Sequence, residues 1–191
     1  MEPQEKYKRV NIVEFENWLK ELKVRSTIKF IQLHHTEEPT YSDFDGKNHS
    51  ELCIDMETMH IERGFGGIAQ NFTTFPDGDI VICRDLEEKT IGIKGANHFA
   101  INIENIGNFD IDNLTDAHKE TIIKMIQLLC KKFAIDVNEN CILYHHWFDL
   151  TTGERLLQDK QGHTKSCPGS NFFGGNTYED FKKNLLPLLK E

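Results

Sequence analysis

The sequence predicts a single α/β domain, a central mixed β-sheet with helices on both faces, preceded by an amphipathic helix. Three observations carry this. Apolar runs of strand character alternate with helix-period segments along the chain. Two of those runs, residues 71–75 and 79–83, are joined by Pro76-Asp77-Gly78 and read as a hairpin, so the sheet is not purely parallel. The length of 191 residues suits one domain, and such a chain buries about two-thirds of its unfolded surface without needing a staple.

The elements follow in order. Residues 1–10 form a polar lead-in. Asn11 and Glu14 have the spacing of a capping box, and Ile12, Phe15, Leu19 and Leu22 recur at helical spacing, which predicts a helix to about residue 23. Residues 28–33 are rich in β-branched and aromatic side chains and predict a strand running directly into His34-His35-Thr36. Residues 37–48 are a polar loop. A second helix covers about residues 50–62, with Leu52, Met56 and Met59 on one face, and Gly64, Gly66 and Gly67 stop it.

After the hairpin, residues 84–99 are loop. Residues 100–106 alternate as a strand does, with Ile101 and Ile103 pointing one way. Beyond the turn at 107–110, Thr115 caps a long helix to about residue 133, carried by Ile122, Ile126, Leu129 and Phe133. Lys131 and Lys132 suit the dipole at its end. Residues 141–144 are a further strand, 149–162 a polar insertion, and 178–189 a last amphipathic helix whose end Pro187 weakens.

Composition excludes some functions. The net charge of −9 argues against a nucleic-acid partner, which would need a basic face. The five cysteines are widely spaced, mostly within apolar runs, and read as buried free thiols. The first ten residues have no apolar core of a leader, and no run reaches 18 apolar residues. Neither a signal peptide nor membrane insertion is expected.

The residues that carry chemistry are spread along the chain. The doublets His34-His35 and His145-His146 each end a predicted strand, and Cys167 precedes a Pro168-Gly169 turn. Two imidazoles and a thiolate fill three tetrahedral positions and leave the fourth for water, the open pattern of catalytic zinc. Zinc lowers the pKa of such a water to about 7. Amide hydrolysis then needs a carboxylate to move the proton, for which Glu104 is placed, and a cation to steady the oxyanion, for which Lys165 is placed. Plainer readings stand beside these. A His-His pair is commonly structural, His163 and Cys167 have the spacing of a zinc half-site, and Glu104 could be an ordinary strand carboxylate. His49, His60, His98 and His118 lack any such context and are taken as non-functional.

Taken together, these residues resemble the zinc-dependent N-acetylmuramoyl-L-alanine amidases, a family that includes phage lysozyme-type amidases and animal peptidoglycan recognition proteins. The matches run in order over about residues 28–189. They are His34-His35-Thr36, the hairpin through Asp77-Gly78, Asn97 to Glu104 with Gly107-Asn108-Phe109-Asp110, His145 to Phe148, and Thr164 to Gly169. The resemblance implies a peptidoglycan recognition protein-like fold over residues 28–191, with 1–27 as a helical extension. It implies one Zn2+ held by His34, His145 and Cys167, with Glu104 and Lys165 catalytic. Gln70, Asn71, Asn97, His35 and Trp147 are the expected substrate contacts. The expected partner is peptidoglycan or a muropeptide, cut between the lactyl group of N-acetylmuramic acid and L-alanine, by a monomer.

Two departures matter. Gln70 stands where the phage-type branch has a catalytic tyrosine, which shifts the base role to Glu104 or to water alone. The segment between His145 and Cys167 is longer than usual and is expected to form a wall of the groove. Alternatives are a recognition module that binds without cutting, and a cytoplasmic recycling amidase acting on soluble anhydromuropeptides. Glu104 favours the latter, while Cys167 stands where that branch has aspartate. Synthesis in the cytoplasm and action on the cell wall after release, as for a phage or prophage lysin or a mature secreted domain, is the expected localisation.

Overall fold

The computed structural model describes residues 6–156 and 162–191. Among the described residues six strands form one sheet: β1 (Lys8–Val10), β2 (Phe30–His35), β3 (Phe72–Thr74), β4 (Ile80–Ile82), β5 (Ala100–Asn105) and β6 (Ile142–Tyr144). Their order is β1-β4-β3-β5-β2-β6. β3 and β4 are the expected hairpin, and β1 adds antiparallel to β4. β3, β5, β2 and β6 run parallel to one another. The sheet is therefore mixed, as the hairpin required.

The sheet's pleat separates two cores. Phe72, Ile80, Ile31, Leu33, Ile101 and Ile103 face one side, against α1 (Ile12–Glu21), α3 (Asp116–Phe133) and the C-terminal helical segments. Val81 and Ile106 face the other side with Leu52, Cys53 and Met56 of α2 (His49–Glu62). Successive strand residues point to opposite faces, so one strand feeds both cores. On β2 and β5 the second face carries Gln32, His34, Asn102 and Glu104. There the parallel strands end, and the polar residues gather.

The caps follow the sequence closely. Asn11 accepts from the Val13 and Glu14 amides while Glu14 answers back, and Thr115 accepts from the His118 amide. Two expectations need correction. The lead-in contains β1: Lys8 and Arg9 are exposed, Val10 is buried, and Arg9 Nε bonds Asp79 Oδ2 at 2.6 Å. Three residues are too few for alternation to register in a sequence. The last helix is also not continuous. It runs as α4 (Tyr178–Asp180), a π-helical turn (Phe181–Leu185) and α5 (Leu186–Leu189). Pro187 has no N–H for the bond to Lys183, and the helix widens just before it.

The amino-terminal segment shares the main core. Phe15 is fully buried and meets Phe72 edge-on at 5.3 Å between ring centres. No helix among the described residues is long and apolar enough to cross a membrane.

Candidate metal centre and cavity

The ligand candidates arrive from three places. His34 is near the end of β2, His145 opens the turn after β6, and Cys167 sits in the loop before the C-terminal helices. All three are buried, and their donor atoms lie within 4.8 Å of one another. His145 Nδ1 is 3.2 Å from His34 Nδ1, and Cys167 Sγ is 3.5 Å from the same atom. Zinc bonds of about 2.1 Å to nitrogen and 2.3 Å to sulfur in a tetrahedron place donors about 3.4 Å apart for N–N and about 3.6 Å for N–S. The donor set fits a tetrahedral ion.

The backbone explains which histidine of each doublet takes part. The pleat sends His34 to the α2 side and His35 to the other. There His35 stacks on Phe109 and its Nδ1 accepts from the Phe109 amide at 3.1 Å. His146 turns outward and bonds the Lys165 carbonyl through Nδ1 at 2.8 Å. Its amide donates to the Cys167 carbonyl at 2.7 Å. The unused partner thus ties the cysteine loop to the strand end. Thr36 accepts from the Gly107 amide and donates to the Pro39 carbonyl, folding the chain back after β2.

Burial sets the electrostatics. His34 is held well below the usual imidazole range by burial first, then by charge on His145 and Lys165. His145 is lowered to about 3 by burial and Lys165. Both are neutral at pH 7, the form that ligates metal. Burial pushes the Cys167 thiol up to about 12 against the pull of Lys165, so the thiolate needs a cation beside it. Glu104, across the sheet from His34, is pushed up to about 8 by burial, with Lys165 pulling it back. Lys165 is exposed, and its ammonium has no hydrogen bond or ion pair among the described residues.

These groups open on a cavity of about 550 Å³. His34, His145, Glu104, Asn102 and Lys165 line it near the cluster, and Met56, Met59, His60 and Arg63 of the α2 face line it farther out. Asn102 is buried and its Oδ1 has no hydrogen-bond partner among the described residues. His35 reaches the cavity too.

Other expected substrate contacts lie elsewhere. Gln70 is fully buried, its amide donating to Thr73 Oγ1 at 3.0 Å. Asn71 is spent on the Arg84 and Asp85 carbonyls and the Asn102 amide. Asn97 Oδ1 accepts from the Gly92 amide at 2.9 Å. Trp147 stacks between Tyr144 and Tyr178 in the core, its Nε1 bonded to the Asn176 carbonyl. None of the four lines the cavity. The described part of the 149–162 insertion does not line it either, and residues 157–161 lie outside the described residues. Asp149 holds that loop, accepting from the Thr151, Thr152 and His163 amides, so His163 is bound up away from the cluster.

Sequence reading passed over the α2 lining. Met56, Met59, His60 and Arg63 follow a helical i, i+3, i+4, i+7 stripe, the one signal that could have found it. His60, taken as non-functional, is on that stripe. His118 is buried between Tyr41 Oη and Thr74 Oγ1, each at 2.7 Å, away from the cavity.

Comparison with known proteins shows the family and the fold. A family model described as N-acetylmuramoyl-L-alanine amidase matches residues 24–170. The endolysin N-acetylmuramoyl-L-alanine amidase LysCS from Clostridium intestinale URNW has a similar structure, with 22% identity and a TM-score of 0.54, covering 76% of this chain and 78% of that one. Drosophila PGRP-LB is similar at 18% identity and a TM-score of 0.62, covering 85% of this chain and 84% of that one. A mutant of PGRP-LB has been solved in complex with tracheal cytotoxin, and it matches at 18% identity and a TM-score of 0.59, covering 85% and 84%. At these identities the likeness shows a shared fold. No curated protein sequence matches the chain.

Proposed function

The chain belongs to the N-acetylmuramoyl-L-alanine amidase family, and on that premise we propose that it hydrolyses the amide between the lactyl group of N-acetylmuramic acid and L-alanine, with one zinc ion. The observation that carries this reading is the buried His34–His145–Cys167 cluster opening on the cavity beside Glu104. Those three residues would hold the ion. When bound, zinc supplies Lewis acidity that polarises the amide carbonyl and acidifies the attacking water.

The chain's own residues do the rest. Glu104 takes the proton of the attacking water as the new C–O bond forms. It then gives that proton to the leaving nitrogen of L-alanine as the C–N bond breaks, so one carboxyl serves both halves. Its raised pKa brings it near neutrality, where transfer in either direction is cheap. Lys165, unpaired among the described residues and at the cavity wall, faces the oxygen that gains charge. The cavity of about 550 Å³, lined in part by Met56, Met59 and His60 of α2, would take the sugar and the start of the stem peptide.

Incubating the protein with purified peptidoglycan and zinc tests this, reading new L-alanine amino termini. Their absence at full zinc loading would sink the hydrolytic reading. One observation favours a second reading, binding without cutting: no phenol stands at position 70, and Gln70 is turned into the structure. Sedimentation with insoluble peptidoglycan and no release of peptide would establish it. Comparing turnover on sacculi with turnover on soluble anhydromuropeptides separates wall lysis from recycling.

A further inference from the structure

His34 uses Nδ1 toward the cluster, and its other nitrogen meets the protein. His34 Nε2 lies 3.4 Å from Gln32 Oε1. Gln32 is fully buried on the same face of β2. Its amide orientation is fixed on both sides. Oε1 accepts from the Ile93 amide at 3.0 Å, while Nε2 donates to the Ala96 carbonyl at 2.9 Å and to Asn97 Oδ1 at 3.3 Å. A flip would set an NH2 against an N–H and an oxygen against a carbonyl. Oε1 therefore faces His34 as an acceptor, and the matching group on Nε2 is an N–H. That leaves the Nδ1 lone pair directed at His145 and Cys167.

Gly92 supplies a second observation. A Cβ there would overlap Gln32 Oε1 and press on Asn102 Nδ2 and His34 Nε2, at 2.8 Å and 3.0 Å. The Gly92 amide also donates to Asn97 Oδ1 at 2.9 Å. The loop comes this close only because residue 92 has no side chain, and the same approach seats Asn97 behind Gln32.

We infer that Gln32, held by Asn97 and the space at Gly92, is a positioning residue that fixes the His34 tautomer and aims Nδ1 at the metal centre. The inference rests on His34 being a zinc ligand, as the proposed function has it. Hydrogen bonds behind a ligand histidine fix its tautomer and ring orientation in this manner.

Nitrogen-15 NMR of the imidazoles in the metal-free protein reads the tautomer directly, with His34 assigned from the His34→Asn spectrum. The expected state is Nε2–H. A wild-type His34 carrying its proton on Nδ1 overturns the inference whatever the variants do. Gln32→Leu should mix the tautomers and weaken zinc binding about 10- to 100-fold, measured by competition with a chromophoric chelator. Gln32→Glu, buried and protonated, keeps the oxygen acceptor toward His34 and offers an O–H to the Ala96 carbonyl, so it should recover most of that affinity. Asn97→Ala, which removes the acceptor behind the Gln32 amide without touching His34, should shift tautomer and affinity in the direction of Gln32→Leu, and it decides the matter if Gln32→Leu does not fold. Equal zinc affinity in the Leu and Glu variants would reduce Gln32 to a packing role and overturn the inference. Failure of the wild type to bind zinc removes His34 as a ligand instead, and it is read separately from the tautomer.

Discussion

Glu104 stands directly opposite His34 across the parallel β2–β5 ladder. Paired residues of neighbouring strands lie on one face, so the carboxyl and the imidazole are placed by backbone hydrogen bonds rather than by a loop. The proposed chemistry would thus rest on paired strands, which hold a site more closely than loops do. Replacing Glu104 by Gln should keep zinc bound and lower peptide release about 10²- to 10⁴-fold. Metal analysis and an amino-terminus assay on the same sample check both halves. Unchanged turnover would take Glu104 out of the reaction.

Zinc should stabilise the folded chain, because two of its three donors come from strand ends that meet only in the native sheet. At a free concentration about 100 times Kd the gain is about 2.7 kcal/mol. Thermal melts of the metal-free wild type with and without zinc should show it. His145→Ala should lose that response together with activity.

Lys165→Met keeps the length of the side chain and removes its charge. Zinc content should be unaltered, and kcat should fall about 10²-fold or more, the usual cost of one oxyanion partner. A change confined to KM would assign Lys165 to substrate binding instead.

His118 predicts how the metal-free protein responds to acid. Burial lowers it from 6.5 to about 3, so the unfolded chain takes up the proton first. Its contribution is present above about pH 6.5 and is lost as pH falls toward about 3. Between about pH 6.5 and about pH 4 the loss is on the order of 3 kcal/mol. His35, lowered to about 4 mainly by burial, acts with the same sign. Urea unfolding of wild type and His118→Gln across that range should give a flatter slope for the variant.

Phe15→Ala tests whether residues ahead of the matched segment belong to the core. Phe15 is fully buried against Trp18 and Phe72. Its truncation should cost about 3–5 kcal/mol. Chemical denaturation measures this, and a loss near zero would make the first helix an appendage.

Most of the architecture was legible from the sequence because its signals are local. Asn11 with Glu14, Thr115, and Pro76-Asp77-Gly78 announce caps and a turn within a few residues. β1 was not legible, since Lys8–Val10 becomes a strand only through its pairing with β4. At the site, the histidine doublets and Cys167 were visible as residue types in order along the chain. The roles of Gln70, Asn71 and Asn97 were not, because an amide that closes a buried hydrogen-bond network looks the same in a sequence as one that meets substrate. Gln32 was hidden for a similar reason. Alternation along the strand puts it on the face of His34, but only the loop packed at residues 92–97 reveals that its amide oxygen is turned to that imidazole.

His34 and His145 lie 111 positions apart in the chain yet come within 3.2 Å. Bringing such distant segments together costs loop-closure entropy before any contact rewards it, and pairings of this kind form slowly. A chain still emerging from the ribosome holds β2 long before β6 exists to pair with it. With zinc held as proposed, capture by all three donors would await synthesis of the cysteine loop, after the last strand of the sheet has been made.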